Sequence, residues 1–547
     1  MRPERLVGTI AGIQVAHEIL GRRLIEAQKE TNIDKYQFTE SVTGRGKNRH
    51  FNIRELLANP IKFKDELLPF SGNDHLDYLE KRIQQNISEN HNLTERQKEI
   101  ITYEIRAFIY ALDEEKQKKF TEIVKAFEED KNYLKGIIFS GGETRVVTET
   151  AGAMLINTIC TLLGVQLKSF SGTSAGAFLA SGFAFGGLNS AFFKVTTEKD
   201  YGDFFNNPEE LKRWSNELMR NAYKFRTGKD VDIVLGKHLK EMGSDLEVLV
   251  GQMGKTNLTM PETYLLPREL EKRLGIKFDD LPVCEIILAT CNSHVISSPS
   301  DLLKNNTACF IRDKEGEKVF FFDPGVCENH LLPLHLLEEE VENYHRGKIP
   351  LPGFFFVIGN KRTEDLELPE TIAGEKTTWL KSFLHKVFVH TTDIITTVTG
   401  NETKEVLRRI GALRTYLEAQ CELEVNEGNK TKILKLRAFD LNKPMAERQE
   451  LIIANIGLMI DDLHTNMVNS TLSPYELYLN DIHYALGMWH KLGQERNLWE
   501  VRLLEKMHGK NGNGKSHLTP ENPPEQKVRT IDDLQKLAVT LLQKSQI

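Results

Sequence analysis

Between Lys135 and Ala177 the chain twice runs from a short apolar segment into a glycine-bearing turn and then into a helical run, and this alternation constrains the fold most. Gly136-Ile137-Ile138-Phe139 reads as a strand ending at Ser140-Gly141-Gly142, and a helical run from Val147 to Leu163 follows. Gln166 to Phe170 reads as a second strand, ending at Gly172-Thr173-Ser174-Ala175-Gly176 with an apolar helix behind it. Strand, helix and strand in this order form a βαβ unit, which calls for a parallel sheet. Further strands are expected at Val283-Cys284-Glu285-Ile286-Ile287-Leu288-Ala289-Thr290, at Lys318-Val319-Phe320-Phe321-Phe322 and from Leu351 to Gly359. Residues from about 195 to 275 are polar and helix-rich with few strand signals, and are expected to cap a site.

The flanks have a different period. Residues 1–130 read as mostly helical, with Thr94-Glu95-Arg96-Gln97 as a capping-box start and Ile101, Ile105, Phe108, Ile109 and Leu112 at helical spacing. Arg45, Lys47, Arg49, His50 and Arg54 form a loose basic cluster, read as a solvated loop. Residues 366–507 are expected to form a helical bundle, from stripes at Trp379, Phe383, Leu384 and Val387 and at Leu451, Ile452, Ile456 and Met459. Residues 508–528 read as a flexible linker. Residues 529–547 read as a short amphipathic helix capped by Thr530, with Leu534, Leu537, Ala538 and Leu541 on one face.

At 547 residues the chain exceeds one ordinary core and is expected to hold two to four domains. A net charge of −7 argues against general nucleic-acid binding, while leaving room for local basic patches at a phosphate-rich membrane surface. The cysteines at 160, 284, 291, 309, 327 and 421 form no Cys-x-x-Cys pair and suit a reducing compartment, with Cys284 and Cys309 read as buried thiols. Met1 to Leu20 lacks a clean apolar core, so no cleaved signal peptide is expected. The longest apolar candidate for a membrane span, Ala177 to Phe193, is broken by Gly186, Gly187 and Asn189 and reads as buried.

Gly509-Lys510-Asn511-Gly512-Asn513-Gly514-Lys515-Ser516 matches the phosphate-loop pattern by letter. Such a loop needs a buried strand before it and a helix after it; here a charged helical segment precedes and Thr519-Pro520 follows, so nucleotide binding is not expected.

The chemistry gathers in three pieces. A Gly-x-Ser-x-Gly turn between strand and helix exposes one serine hydroxyl, here Ser174, with Gly172, Thr173, Ala175 and Gly176 shaping the turn. The turn Ser140-Gly141-Gly142-Glu143-Thr144-Arg145 can present backbone N–H groups to a developing negative charge. Phe322-Asp323-Pro324-Gly325 puts a carboxylate at a strand end, and parallel strands bring such ends to one edge of the sheet.

As an ordered set these segments resemble the patatin-like phospholipase family, whose pattern is a Gly-Gly-Gly-x-Arg/Lys-Gly loop, a Gly-x-Ser-x-Gly elbow and an Asp-Gly-Gly/Ala aspartate often followed by an Asn, here Asn329. Ile276-Lys277-Phe278-Asp279-Asp280-Leu281-Pro282 resembles that family's lead-in to a central strand. The resemblance implies an α/β fold with a three-layer core and a central, mainly parallel sheet, flanked by N- and C-terminal helical regions. The catalytic domain would span 134–365. It also implies a lipid acyl hydrolase of phospholipase A or lysophospholipase type, acting on phospholipid or lysophospholipid at a membrane surface without cofactor or metal. Ser174 would be the nucleophile and Asp323 its general base, a role a lone carboxylate can fill in a dry site. The N–H groups of Gly141, Gly142 and Glu143 would hold the oxyanion, and Arg145 would contact substrate phosphate or anchor the loop.

The sequence departs from the pattern at Glu143, Val146 and Pro324, each standing where glycine is usual. Two alternatives stay open: a Ser-Asp-His triad using His330, His335 or His345, and a catalytically degenerate scaffold acting by protein or membrane binding. Long helical extensions resemble those of bacterial effectors delivered into host cells, which implies an activating protein partner and a cytoplasmic or peripherally membrane-associated location.

Overall fold

The structure is a computed structural model describing residues 34–37, 41–43, 50–198, 208–252, 262–291, 310–323, 353–361, 416–427, 430–436, 443–470 and 472–478. Its strands, in chain order, are β1 Asp34–Gln37, β2 Ser41–Thr43, β3 His50–Asn52, β4 Leu134–Phe139, β5 Ser169–Thr173, β6 Asp245–Gln252, β7 Glu262–Leu266, β8 Phe310–Arg312, β9 Lys318–Phe322, β10 Phe354–Lys361, β11 Tyr416–Gln420, β12 Glu422–Glu427 and β13 Lys430–Lys435. Among the described residues eight of these build one sheet, ordered β11-β10-β4-β5-β6-β9-β8, with β7 also paired to β6. The pairings from β11 to β6 are parallel. Those that β6 makes with β7 and β9, and that β9 makes with β8, are antiparallel. The fold is thus α/β, a central, mainly parallel sheet flanked by helices, with helical N- and C-terminal regions.

The βαβ unit forms because local pattern and burial agree. Helix Val146–Leu163, which joins β4 to β5, is apolar nearly all round and is buried against β10, β11 and helix Met445–Leu463. Among the described residues it alone is long and apolar enough to cross a membrane, and it serves as a core helix. The apolar run after Ser174 ends as helix Ala175–Ala184, and a second helix starts at Asn189. The capping box at Thr94 forms as expected and starts helix Glu95–Tyr110; Asp113 then caps helix Glu114–Asp130. One buried hydrophobic cluster extends along the chain from Ile53 to Tyr478, so the N-terminal helices share their core with the sheet.

Three expectations are corrected. Val283-Thr290, read as a strand, is the helix Val283–Cys291, packed between β6 and the helices Ala175–Ala184 and Pro208–Thr227. An eight-residue apolar run fits a buried helix as well as a buried strand, and periodicity alone does not tell them apart. The span 195–275, read as a strand-poor cap, holds the central strand β6 and its partner β7 beside helix Pro208–Thr227. The region read as a C-terminal bundle contributes β11 to the main sheet, and β12 and β13 to a small sheet with β1, before helix Met445–Leu463. Leu451, Ile452, Ile456 and Met459 are core residues of that helix. The stripe at Trp379, the phosphate-loop look-alike, the linker and the C-terminal amphipathic helix lie outside the described residues.

Candidate active site

Two strands meet head-on to form the site. β7 occupies one edge of β6 from Val248 to Gln252. β5 runs along the other edge as far as Thr173, opposite Leu249. β9 comes down that same edge in the opposite direction, with Phe322 opposite Gly251. The residues that follow, Ser174 and Asp323, are therefore brought face to face. This corrects the expectation that parallel strands would deliver the aspartate, since β9 is antiparallel to β6.

Ser174 sits at φ 52°, ψ −131°, and is the only non-glycine residue with positive φ among the described residues. Such a conformation costs on the order of 1–3 kcal/mol and persists only where its surroundings enforce it. Here the enforcement comes from helix Val283–Cys291. The Ser174 N–H donates to the Thr290 hydroxyl at 2.8 Å, and that hydroxyl donates to the Leu249 carbonyl at 2.6 Å. The Cys291 thiol donates to the Ser174 carbonyl at 2.9 Å. The elbow also lies tight against the glycine loop: a Cβ on Gly176 would stand 2.2 Å from the Ser140 carbonyl oxygen. Gly172, Thr173 and Ala175 complete the strand-to-helix passage, and Thr173 and Ala175 are buried.

The Ser174 hydroxyl donates to Asp323 Oδ2. Each residue is only 5% exposed, so the pair lies in a largely water-excluded position. His330, His335 and His345 of the triad alternative, and Pro324, Gly325 and Asn329, lie outside the described residues.

The glycine loop leaves the end of β4 and enters helix Val146–Leu163 through a short turn, Glu143–Arg145. The Ser140 N–H donates to the Ile358 carbonyl at 2.9 Å. The Gly142 carbonyl accepts from the Arg145 N–H at 3.0 Å and from Arg145 Nε at 3.1 Å. Arg145 is buried, and its own carbonyl accepts from the Thr148 hydroxyl at 2.8 Å. These bonds describe a loop anchor. Gly141 and Gly142 are buried in the loop; the Glu143 side chain lies outside the described residues.

Beneath the loop is a polar cluster that the sequence motifs do not reveal. Glu149 Oε1 accepts from the Ser140 hydroxyl at 2.8 Å and from the Asn360 side-chain amide. Asn360 Oδ1 lies 2.7 Å from the Thr148 hydroxyl and shares its one proton with the Arg145 carbonyl. Gly142 packs so close to this amide that a Cβ would lie 2.4 Å from Asn360 Nδ2. Two signals were present: Glu149 is the one charged residue in helix Val146–Leu163, and Asn360 follows the apolar run Phe354-Phe355-Phe356-Val357-Ile358 at a strand end.

Burial pushes the Cys160 thiol up to about 12 and the Cys284 thiol up to about 11, which makes both poor nucleophiles. Cys309 and Cys327 lie outside the described residues. Of the basic cluster, Arg54 is paired with Glu450, and Arg45, Lys47 and Arg49 lie outside the described residues.

Residues 137–337 match the family model described as patatin-like phospholipase. No curated protein matches the chain. Among solved structures, the chain is similar to one from full-length SpcU in complex with full-length ExoU, of the type III secretion system of Pseudomonas aeruginosa. Identity is 12%, covering 68% of this chain and 80% of that one, with a TM-score of 0.23, too low to bear on fold or partners.

Proposed function

Residues 137–337 are a patatin-like phospholipase domain, and from that premise we propose that the chain is a lipid acyl hydrolase in which Ser174 attacks a fatty-acyl ester with Asp323 as general base. The observation that carries this reading is the buried hydrogen bond from the Ser174 hydroxyl to Asp323 Oδ2, made at a strained strand-to-helix elbow.

Asp323 takes the hydroxyl proton as Ser174 Oγ adds to the ester carbonyl carbon, and the carbonyl oxygen becomes an oxyanion. The N–H of Ser174 is bound to Thr290 and that of Ser140 to Ile358, so neither serves that oxyanion. The N–H groups of Gly141, Gly142 and Glu143 are the donors of this reading. Collapse of the intermediate breaks the bond to the leaving alkoxide, which takes the proton from Asp323. Water then adds to acyl-Ser174 with Asp323 again as base, releasing the fatty acid and restoring the hydroxyl. Arg145 acts by anchoring the loop, a role supported by its two bonds to the Gly142 carbonyl.

The substrate class is phospholipid or lysophospholipid at a membrane surface. The helical flanks extend the reading to an activating protein partner and to delivery into a host cell. Turnover that appears only when a eukaryotic lysate is added supports that extension; equal turnover without lysate removes the activator from it.

An alkyl fluorophosphonate tests the nucleophile directly, because Ser174 Oγ displaces fluoride to form a stable phosphonate ester. The expected result is labelling of the wild type with vesicles and lysate present, and none in Ser174→Ala. A wild type that takes no label under those conditions points instead to a binding-only scaffold.

A further inference from the structure

We infer that Glu149 and Asn360 are positioning residues of the oxyanion hole, fixing the aim of the Gly141-Gly142-Glu143 backbone; this rests on the acyl-hydrolase reading above. One carboxyl oxygen, Glu149 Oε1, joins three separate elements. It accepts the Ser140 hydroxyl from the end of β4 and the Asn360 amide from the end of β10, and it belongs to the first turn of helix Val146–Leu163. Glu149 is fully buried, and Asn360 is 1% exposed. A buried carboxyl is costly in a helix whose other residues are uncharged, and packing alone would be served as well by an apolar side chain.

The geometry says what the cluster holds. Gly142 is gripped on two sides: its α-carbon lies against the Asn360 amide, and its carbonyl is bonded by Arg145. Because a trans peptide is planar, turning the Gly142 carbonyl toward Arg145 turns the Glu143 N–H the opposite way, out of the helix. Ser140, on the other side of Gly141, is held by its hydroxyl on Glu149 and its N–H on Ile358. Both ends of the donor segment are thereby fixed before substrate arrives. Such pre-aimed donors act on charge that exists only in the transition state, so loosening them lowers turnover more than binding.

The test compares Asn360→Leu, Glu149→Leu, Glu149→Gln and Ser140→Ala with the wild type and Ser174→Ala. Readouts are kcat, KM, thermal midpoint and the affinity of a long-chain alkyl trifluoromethyl ketone, which adds Ser174 to give a hemiketal oxyanion. Asn360→Leu and Glu149→Leu are expected to lose about 10- to 100-fold in kcat, less than deletion of a hole donor outright, with KM nearly unchanged. Ketone affinity should fall by a similar factor. Glu149→Gln keeps the accepting Oε1 and should recover most of the loss. Ser140→Ala removes a single hydroxyl and gives a milder loss of the same kind, which decides the matter if the leucine variants fail to fold.

Folded variants with wild-type kcat overturn the inference, as does lost kcat with undiminished ketone affinity. If instead the wild type has no activity that depends on Ser174, the hydrolase reading itself falls and takes this one with it.

Discussion

The hydroxyl of Thr290 stands between the Ser174 backbone and strand β6, accepting the Ser174 N–H at 2.8 Å and donating to the Leu249 carbonyl at 2.6 Å. One side chain thus ties the strained elbow to the sheet. Thr290→Val keeps the shape but removes both bonds, leaving a buried N–H unpaired at a cost of about 1–3 kcal/mol. The expected outcome is a lower thermal midpoint and a kcat reduced by at least about 10-fold, the scale on which misplaced catalytic groups lose rate. Thr290→Ser should restore both. Unchanged kcat in a folded Thr290→Val would show that the elbow holds itself.

Arg145 offers a separate test. If it anchors the glycine loop through the Gly142 carbonyl, its loss should be felt equally by every ester. Arg145→Met is expected to lower kcat/KM for a phospholipid and for an uncharged nitrophenyl acyl ester by the same factor, about 10-fold or more for a misaimed hole. A loss confined to the phospholipid would assign Arg145 to the head-group phosphate.

Glu104 links the N-terminal helices to the helix Asn189–Glu198 and carries a pH signature. Its carboxyl accepts the Ser190 N–H at 2.9 Å and the Ser190 hydroxyl. Burial raises it from its ordinary 4.5 to about 7, against the pull of Ser190's two hydrogen bonds and of Lys194. Between these values the folded chain holds a proton that the unfolded chain has released. Stability therefore falls as pH rises through that window, and the cost above it approaches about 3 kcal/mol. Glu104→Gln should flatten the pH dependence of the thermal midpoint between pH 5 and 8 and be the more stable protein at the alkaline end. Parallel profiles for the two proteins would contradict this.

The sequence made the elbow and glycine loop legible because both are local: an apolar strand, a glycine turn and a helix lie within a few residues of one another. What it hid was long-range. Asn360 and Glu149 meet across 211 positions. The direction of β9 depends on which edge of β6 stays open beyond Thr173, and nothing in Lys318-Val319-Phe320-Phe321-Phe322 encodes that. β6 is hard to see in the sequence although Leu246, Val248 and Val250 alternate, because its surroundings are polar and helical. Helix Val283–Cys291 looks like a strand in the sequence because its apolar run has no polar face to reveal a period, and this hides the role of Thr290.

In the proposed reaction the Ser174–Asp323 pair hydrolyses lipid acyl esters. Its most direct test is lipid-product analysis on mixed phospholipid vesicles with eukaryotic lysate, comparing wild type, Ser174→Ala and Asp323→Asn. Fatty acid and lysophospholipid are expected to accumulate with the wild type, with both variants reduced to the lysate background. Identical lipid profiles for all three proteins would contradict it.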